Sequence, residues 1–349
     1  MTIASPSRRR ALGLGLGAGL GTIVRPAFAR TRDLKIALAS AEGDPQFALA
    51  RAFVESLVEV SRGELTATLF PGGRLGSEQR TVEETAKGLL DATIVTTTNL
   101  QPFSPSAGAL DLPYLVESLE EAERLVGGEF GRRIADDALA ATGLRIVAWG
   151  HAGFRVLTNS KRPVTTLEEL RELRVRVPSN AIMAATYEAW GVEAVPMYWP
   201  EVLAALEDRV VDGQDNPWLS VLAAGFGAVQ DHATDLRHFY SASVMLVSEP
   251  IFQSLSAEDR KLVLAAGFRA TRASADFLRD REAAAREALV AGGMAVSELA
   301  GGAGERMAEL ARERVWPRFA DEVGRDVLGL ALAELGRDGA PIEAFGPGG

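Results

Sequence analysis

The sequence predicts an α/β protein of two lobes with a cleft between them and one long helix that spans both. Three observations carry this reading. Short apolar runs of strand type alternate with helical periodicity from residue 34 to about residue 207. The alternation falls into two sets in series, each of which builds its own layered core. One helix-forming stretch, Ser256 to the Gly292-Gly293 stop, would be about 50 Å long at 1.5 Å per residue, which exceeds one small lobe. At 349 residues, 47% of them hydrophobic, the chain can bury two such cores.

The first set opens with Leu34 to Ala39 as a buried strand. Gln46 to Ser61 follows as a helix with Phe47, Leu49, Phe53 and Leu57 on its apolar side, and Glu64 to Phe70 alternates as the next strand. Pro71-Gly72-Gly73 is a turn, Ser77 starts a helix to about Gly88, and Leu90 to Thr96 is a third strand. Strand, helix, strand, helix, strand in so short a span means a parallel layer. Ser118 to Ala141 reads as helix, with Gly127-Gly128 as punctuation inside it, and Leu144 to Trp149 as strand.

The second set contains the strand Phe154 to Thr158 and a helix opened by the capping box Thr166-x-x-Glu169. It continues with the strand Leu173 to Val177, a helix from Asn180, the strand Glu193 to Pro196 and a helix from Pro200 to Glu207. The long helix begins at Ser256 with Asp259 at the third helical position, and Gly267 is its one weak helix former. Two further amphipathic helices, about Glu305 to Phe319 and Ala320 to Leu335, complete the chain.

The first 29 residues read as an address. Arg8-Arg9-Arg10 precedes a Gly/Leu/Ala run from Gly13 to Val24, and Ala27-Phe28-Ala29 ends it. The arginine pair and weakly hydrophobic run point to the twin-arginine route, with cleavage expected after Ala29. Removing these residues takes away four arginines and no acids, so the formal net charge goes from −10 to −14. An acidic chain disfavours nucleic acid. It is also no global trap for anions, so an anionic ligand must be caught by a local arginine cluster. No cysteine is present, which excludes disulfides, thiol nucleophiles and cysteine metal sites.

Catalytic and metal signatures are missing from the sequence. The three histidines, His151, His232 and His238, are isolated from one another, and there is no Gly-x-Ser-x-Gly elbow. Neither a cofactor nor a metal is expected.

The stretch from Trp149 to Trp218 departs from ordinary patterning. Arg155 stands at the start of the second set, and Arg176 lies within a short strand between Val175 and Val177. A charge in that position either faces solvent or enters a site at the carboxyl end of a strand, where ligands of α/β layers sit. Trp149, Phe154, Tyr198, Trp199 and Trp218 surround these arginines, either as core or as a stacking surface.

Four runs stand in order here: Arg155 to Pro163, Leu173 to Pro178, Val195 to Glu201 and Val210 to Pro217. With Leu75-Gly76-Ser77, Asp111 to Tyr114, Leu255 to Asp259 and the long helix, they resemble the solute-binding proteins of TRAP transporters, the DctP family, over essentially all of the chain beyond residue 29. The resemblance implies a periplasmic binding protein fold with a central cleft, hinge strands and a helix crossing both lobes. It places residues 30–152 with about 241–280 in lobe I, and 153–240 with about 281–340 in lobe II, leaving 341–349 as a flexible tail.

Carried over by position, Arg176 resembles the arginine that grips a ligand carboxylate bidentately, Arg155 a supporting arginine, and Asn216 an amide at the same end of the ligand. A planar guanidinium matches a carboxylate fork where lysine offers only a point charge. Trp199 and Phe154 are expected to line the cleft, and Thr96, Thr97 and Asn99 to contribute from lobe I. Departures from the family pattern matter as well. Gln214-Asp215-Asn216-Pro217 carries Asp where Glu is commoner. Arg155 stands where C4-dicarboxylate binders often have lysine, which argues against plain succinate or malate. The uncharged run Thr96 to Asn99 argues against sialic acid.

Three functions remain open on the sequence alone. The leading one is a periplasmic, monomeric receptor that closes on a small organic acid and delivers it to a large and a small integral membrane permease subunit. A periplasmic enzyme would need a nucleophile or an acid and base near Arg176. A sensing module for a signalling receptor would share the capture step and differ only in its partner.

Overall fold

A computed structural model describes residues 32–337, so the leader, its cleavage site and the tail at 341–349 lie outside the described residues. The chain begins β1 (Arg32–Leu38), α1 (Pro45–Val60), β2 (Leu65–Phe70), α2 (Glu78–Ala86), β3 (Ala92–Thr96) and α3 (Thr97–Leu100). A 3-10 segment, Pro105–Asp111, leads to α4 (Leu119–Gly127) and α5 (Glu129–Thr142). Next come β4 (Leu144–Asn159), α6 (Leu167–Arg171), β5 (Arg174–Val177), α7 (Ala181–Trp190), β6 (Glu193–Pro196), α8 (Val202–Glu207), β7 (Gly213–Pro217) and α9 (Trp218–Ala223). The chain continues with β8 (His232–Thr234), β9 (Tyr240–Ser248), α10 (Glu249–Ser254) and α11 (Ala257–Ala291). It ends in β10 (Ala295–Ser297), α12 (Ala303–Arg314), α13 (Trp316–Val323) and α14 (Arg325–Glu334).

Short polar side chains start several of the helices. Asp44 accepts a hydrogen bond from the Gln46 N–H at 2.8 Å ahead of α1, and Asn180 accepts from the Met183 N–H at 2.9 Å ahead of α7. Thr166 and Glu169 form the reciprocal capping box of α6.

Two lobes are built on one continuous strand order, β2-β1-β3-β9-β4-β7-β5-β6. In the first lobe β1 lies between β2 and β3, parallel to both. In the second, β5 lies between β6 and β7, again parallel to both. The junction is antiparallel: β9 pairs β3 and β4, and β4 passes on to β7 and β8. What reads in the sequence as two strands, 144–149 and 154–158, is therefore a single strand of 16 residues. Gly150 and Gly153 interrupt its apolar pattern without ending it, and the pairing with β9 shifts register near residues 147 and 152.

The long helix α11, 35 residues, ties the lobes together. Val263, Ala266 and Ala270 pack into the core of β1 and α1, whereas Leu278, Ala285 and Leu289 pack with Val156, Leu206 and Trp218 of the second lobe. Its backbone meets β4 at Gly267, where a Cβ would stand 1.8 Å from the Val147 carbonyl oxygen. Glycine is required here for close approach rather than for a special backbone angle.

The C-terminal region forms three helices where the sequence pattern reads as two. Pro317 starts α13 after a break at Val315, and Gly324, at φ 93°, separates α13 from α14. Phe319, Val323, Leu328 and Leu332 share a core with Leu112, Phe130 and Ile134, so α14 sits on α4 and α5 and α13 on the 3-10 segment before them. Of these helices α12, through Met307 and Leu310, shares the core of β5 and α7 of the second lobe, to which 281–340 as a whole was expected to belong.

Candidate functional site

A pocket lies where the carboxyl ends of β1, β3, β5 and β7 approach one another. Ser40, Asp44, Gln46, Glu78, Thr96 and Asn99 line it from the first lobe. Arg155, Arg176, Pro178, Trp199, Asn216 and Ser220 line it from the second, and Ala152, Ser241 and Ser243 form its floor on β4 and β9.

Strand alternation sets the basic end. In β5, Val175 and Val177 face a core with Leu157, Met183 and Trp190, which sends Arg176 to the opposite side. Pro178 then ends the strand at the pocket wall. Arg176 is only 3% exposed, yet its hydrogen bonds go to one neutral acceptor: Nε and Nη2 both donate to the Met197 carbonyl, at 3.1 and 2.6 Å. Among the described residues no carboxylate lies within ion-pairing distance of it. Burial, and then repulsion from Arg155, lower its pKa to about 9, so it stays charged at neutral pH.

Arg155 is differently placed. Its Nε and Nη2 donate to the two Asp215 carboxylate oxygens at 3.0 and 3.1 Å, and Nη2 also donates to the Asp215 carbonyl. Both side chains are buried. His238 Nε2 bonds the same carboxylate at 3.0 Å and Tyr187 Oη at 3.2 Å. Burial would raise the Asp215 pKa, but the Arg155 charge and the His238 hydrogen bond outweigh it and hold it well below the usual range. Burial in turn holds the His238 pKa below its ordinary value. Asn216 lies beside this pair, with Nδ2 donating to Gln214 Oε1.

The first-lobe wall is acidic. Glu78, in the first turn of α2, accepts from Gln46 Nε2 at 2.7 Å, from the Thr96 N–H and Oγ1 at 3.0 Å each, and from Asn99 Nδ2. Asp44 accepts from Ser220 Oγ at 2.7 Å. Burial, with the Glu78 charge adding to it, raises the Asp44 pKa above the usual range. Neither acid has a cation partner among the described residues.

Hydrogen bonds cross the cleft. The Ser220 to Asp44 bond is one. Asn180 Nδ2 also donates to Asp111 Oδ2 at 3.0 Å and to the Thr98 carbonyl at 3.1 Å. Thr98 Oγ1 donates to the other Asp111 oxygen at 2.7 Å, and burial raises the Asp111 pKa to about 7.

Of the residues singled out in the sequence, Arg176, Arg155, Asn216, Trp199, Thr96 and Asn99 come together in this pocket. Phe154 does not line it. Consecutive strand residues point to opposite faces, and Arg155 takes the pocket side. The Phe154 ring instead packs edge-on against Tyr240, with centroids 5.3 Å apart, under the Arg237 guanidinium at 4.0 Å. Thr97 is buried away from the pocket, while Trp149 and Trp218 are core and Tyr198 is exposed. Ser40, Asp44, Gln46, Glu78 and Ser220 were not foreseen. Asp44 and Glu78 have the pattern of helix-start residues; the available signal was that Ser40 follows the carboxyl end of β1.

This geometry has known counterparts. The family model for the bacterial extracellular solute-binding protein, family 7 (DctP), matches residues 36–321. The chain belongs to that family. A solute-binding protein of Roseobacter denitrificans is 30% identical over 277 residues, 79% of this chain and 85% of its own length. The 2,3-diketo-L-gulonate-binding periplasmic protein of Escherichia coli is 30% identical over 227 residues, 65% of this chain and 69% of its own. A crystal structure of a TRAP periplasmic solute-binding protein from a Polaromonas species, bound to D-erythronate, superposes with a TM-score of 0.82 at 30% identity. It covers 86% of this chain, which covers 98% of it. The protein is thus a TRAP-type DctP solute-binding receptor with the two-lobed fold of its relatives. Among the described residues, no helix is long and apolar enough to cross a membrane.

Proposed function

We propose that this receptor captures a small organic acid, of the sugar-acid, keto-acid or hydroxy-acid type, and delivers it to the permease subunits of a TRAP transporter. The observation that carries the ligand class is Arg176: a buried guanidinium aimed into the cleft whose own protein partner is a neutral carbonyl. Leaving such a charge unpaired costs stability, and a ligand carboxylate recovers it. In this reading Arg155, held by Asp215, and Asn216 orient the carboxylate, while Trp199 covers the ligand and Thr96 and Asn99 complete the far wall. The D-erythronate and diketogulonate named for the relatives are acids of this kind.

The receptor works without turnover, as a monomer in the periplasm, exported by the twin-arginine route and cleaved after Ala29. Its partners are a large and a small integral membrane subunit. The lobes, 30–152 with about 241–280 and 153–240 with about 281–315, close by bending at β4 and β9, and residues 316–337 travel with the first lobe, on whose core α13 and α14 pack. Ligand contacts present only in the closed state drive that closure.

The test is a thermal-shift and calorimetric screen of the purified protein with D-erythronate, aldonic, uronic, keto and hydroxy acids. The expected result is one ligand per chain, a raised Tm, loss of both with Arg176→Ala, and recovery of the acid unchanged. Acid binding that survives in Arg176→Ala refutes the clamp, and conversion of the acid refutes the receptor role.

A further inference from the structure

We propose that the pocket is charge-matched to a single carboxylate and that Glu78 and Asp44 exclude a second one, so that the cargo is a hydroxylated monocarboxylate rather than a dicarboxylate. This deepens, and rests on, the reading of Arg176 as a carboxylate clamp.

The charges around the pocket divide into two ends. At the basic end, Arg155 is neutralised inside the protein: both Asp215 oxygens are bonded to it, and the pair is buried. His238 adds no charge there at neutral pH, because burial holds it below its ordinary value. Arg176, by contrast, has no carboxylate within ion-pairing distance among the described residues. One ligand carboxylate therefore saturates the available positive charge, and a second would have to break the Arg155–Asp215 pair to find a cation.

At the first-lobe wall a second carboxylate meets the buried Glu78 carboxylate. Glu78 is buried and its oxygens are held by Gln46, Thr96 and Asn99; Asp44 is buried too, and burial, with the Glu78 charge adding to it, raises its pKa above the usual range. Ionised carboxylate oxygens such as those of Glu78 only accept hydrogen bonds, so they suit the hydroxyl donors of a polyhydroxy chain. A terminal carboxylate would offer them neither a proton nor a counter-charge. Exclusion by built-in repulsion is a common route to specificity. Ser40, Ser241 and Ser243, which also line the pocket, both donate and accept, and add to the hydroxyl-binding surface.

The experiment uses matched pairs that differ only in replacing a terminal CH2OH by a carboxylate: D-erythronate against meso-tartrate, D-gluconate against D-glucarate, and D-galactonate against galactarate. Calorimetry at pH 7.5 is expected to show the mono-acid of the best-fitting pair binding at least tenfold more tightly than its diacid. Glu78→Gln, or Asp44→Asn where the Glu78 variant does not fold, should shrink that ratio threefold or more. A wild-type protein that binds both members of a pair equally overturns this inference, as does a ratio unchanged in a folded variant. If both members bind equally and both depend on Arg176, the carboxylate receptor stands and only the exclusion fails. If no member of any pair binds, the clamp reading falls and this inference with it.

Discussion

Arg176 and Arg155 are the same residue type lining the same pocket, and what separates them is their partners. Arg155 has an internal carboxylate, whereas Arg176 has a carbonyl. Replacing Arg176 by alanine should cost about 2–5 kcal/mol of ligand binding, which is ~30-fold to several-thousand-fold in Kd. Arg176→Lys, which keeps the charge but loses the fork, should fall between wild type and alanine in the same titration. Asp215→Asn is a stability prediction, because it leaves Arg155 buried without a counter-charge, at about 3–5 kcal/mol. The Asp215 pKa is depressed, so its contribution is present above the unfolded carboxylate pKa near 4 and is lost as the pH falls below it. The Tm gap between wild type and Asp215→Asn, followed by calorimetry, should be widest at neutral pH and narrow in acid. At this scale the charged residues of the second lobe were legible because they interrupt apolar strands. Glu78 and Asp44 were not, because an acid at a helix start is locally satisfied and gives no local sign of a cleft.

At the scale of elements, β4 and α11 act as a pair. β4 bulges where its pairing with β9 shifts, and the N–H groups so freed go to the helix: Trp149 N donates to Thr271 Oγ1 and His151 N to Ser274 Oγ, both at 2.9 Å. Gly267 lets the helix come close enough for this. Gly267→Ala should therefore destabilise by about 1–3 kcal/mol through overpacking, in contrast to the gain expected of a Gly to Ala change in an exposed helix. Urea unfolding decides between the two signs. Ser274→Val and Thr271→Val should each lower stability by about 1–3 kcal/mol by leaving a buried N–H unpaired. The length of α11 was legible from its uninterrupted helix formers and its Ser256 cap. The unity of β4 was not, since glycines within it look like a turn until the partner strand and helix are in place.

For the whole molecule, closure is the property that function needs, and the two cross-cleft links respond to pH. Asp111 is a carboxyl whose folded pKa, raised by burial to about 7, exceeds its unfolded value. Its contribution is complete below about pH 4 and is lost as the pH rises through 7, because the fold must then hold a buried charge. Asp111→Asn should thus gain Tm relative to wild type between pH 5 and pH 8, measured by scanning calorimetry on both proteins. Ser220→Ala removes the Asp44 link, and small-angle scattering of the unliganded protein should then show a larger radius of gyration than wild type. An unchanged radius would mean that the link does not hold the lobes together.

The sequence by itself determined the class of fold, the order of its parallel units, the long helix and the motif residues of the family, because these depend on periodicity, capping and local residue type. Only the tertiary structure decided that β4 runs unbroken between the lobes, that α14 returns to α4 and α5 and α13 to the 3-10 segment, and that Phe154 turns away from Arg155's pocket. It also decided the charge of the site. Arg155 lies 60 residues from Asp215, and Glu78 18 residues from Thr96. Whether a buried charge is spent inside the protein or left for a ligand depends on such distant partners, and no local pattern records them.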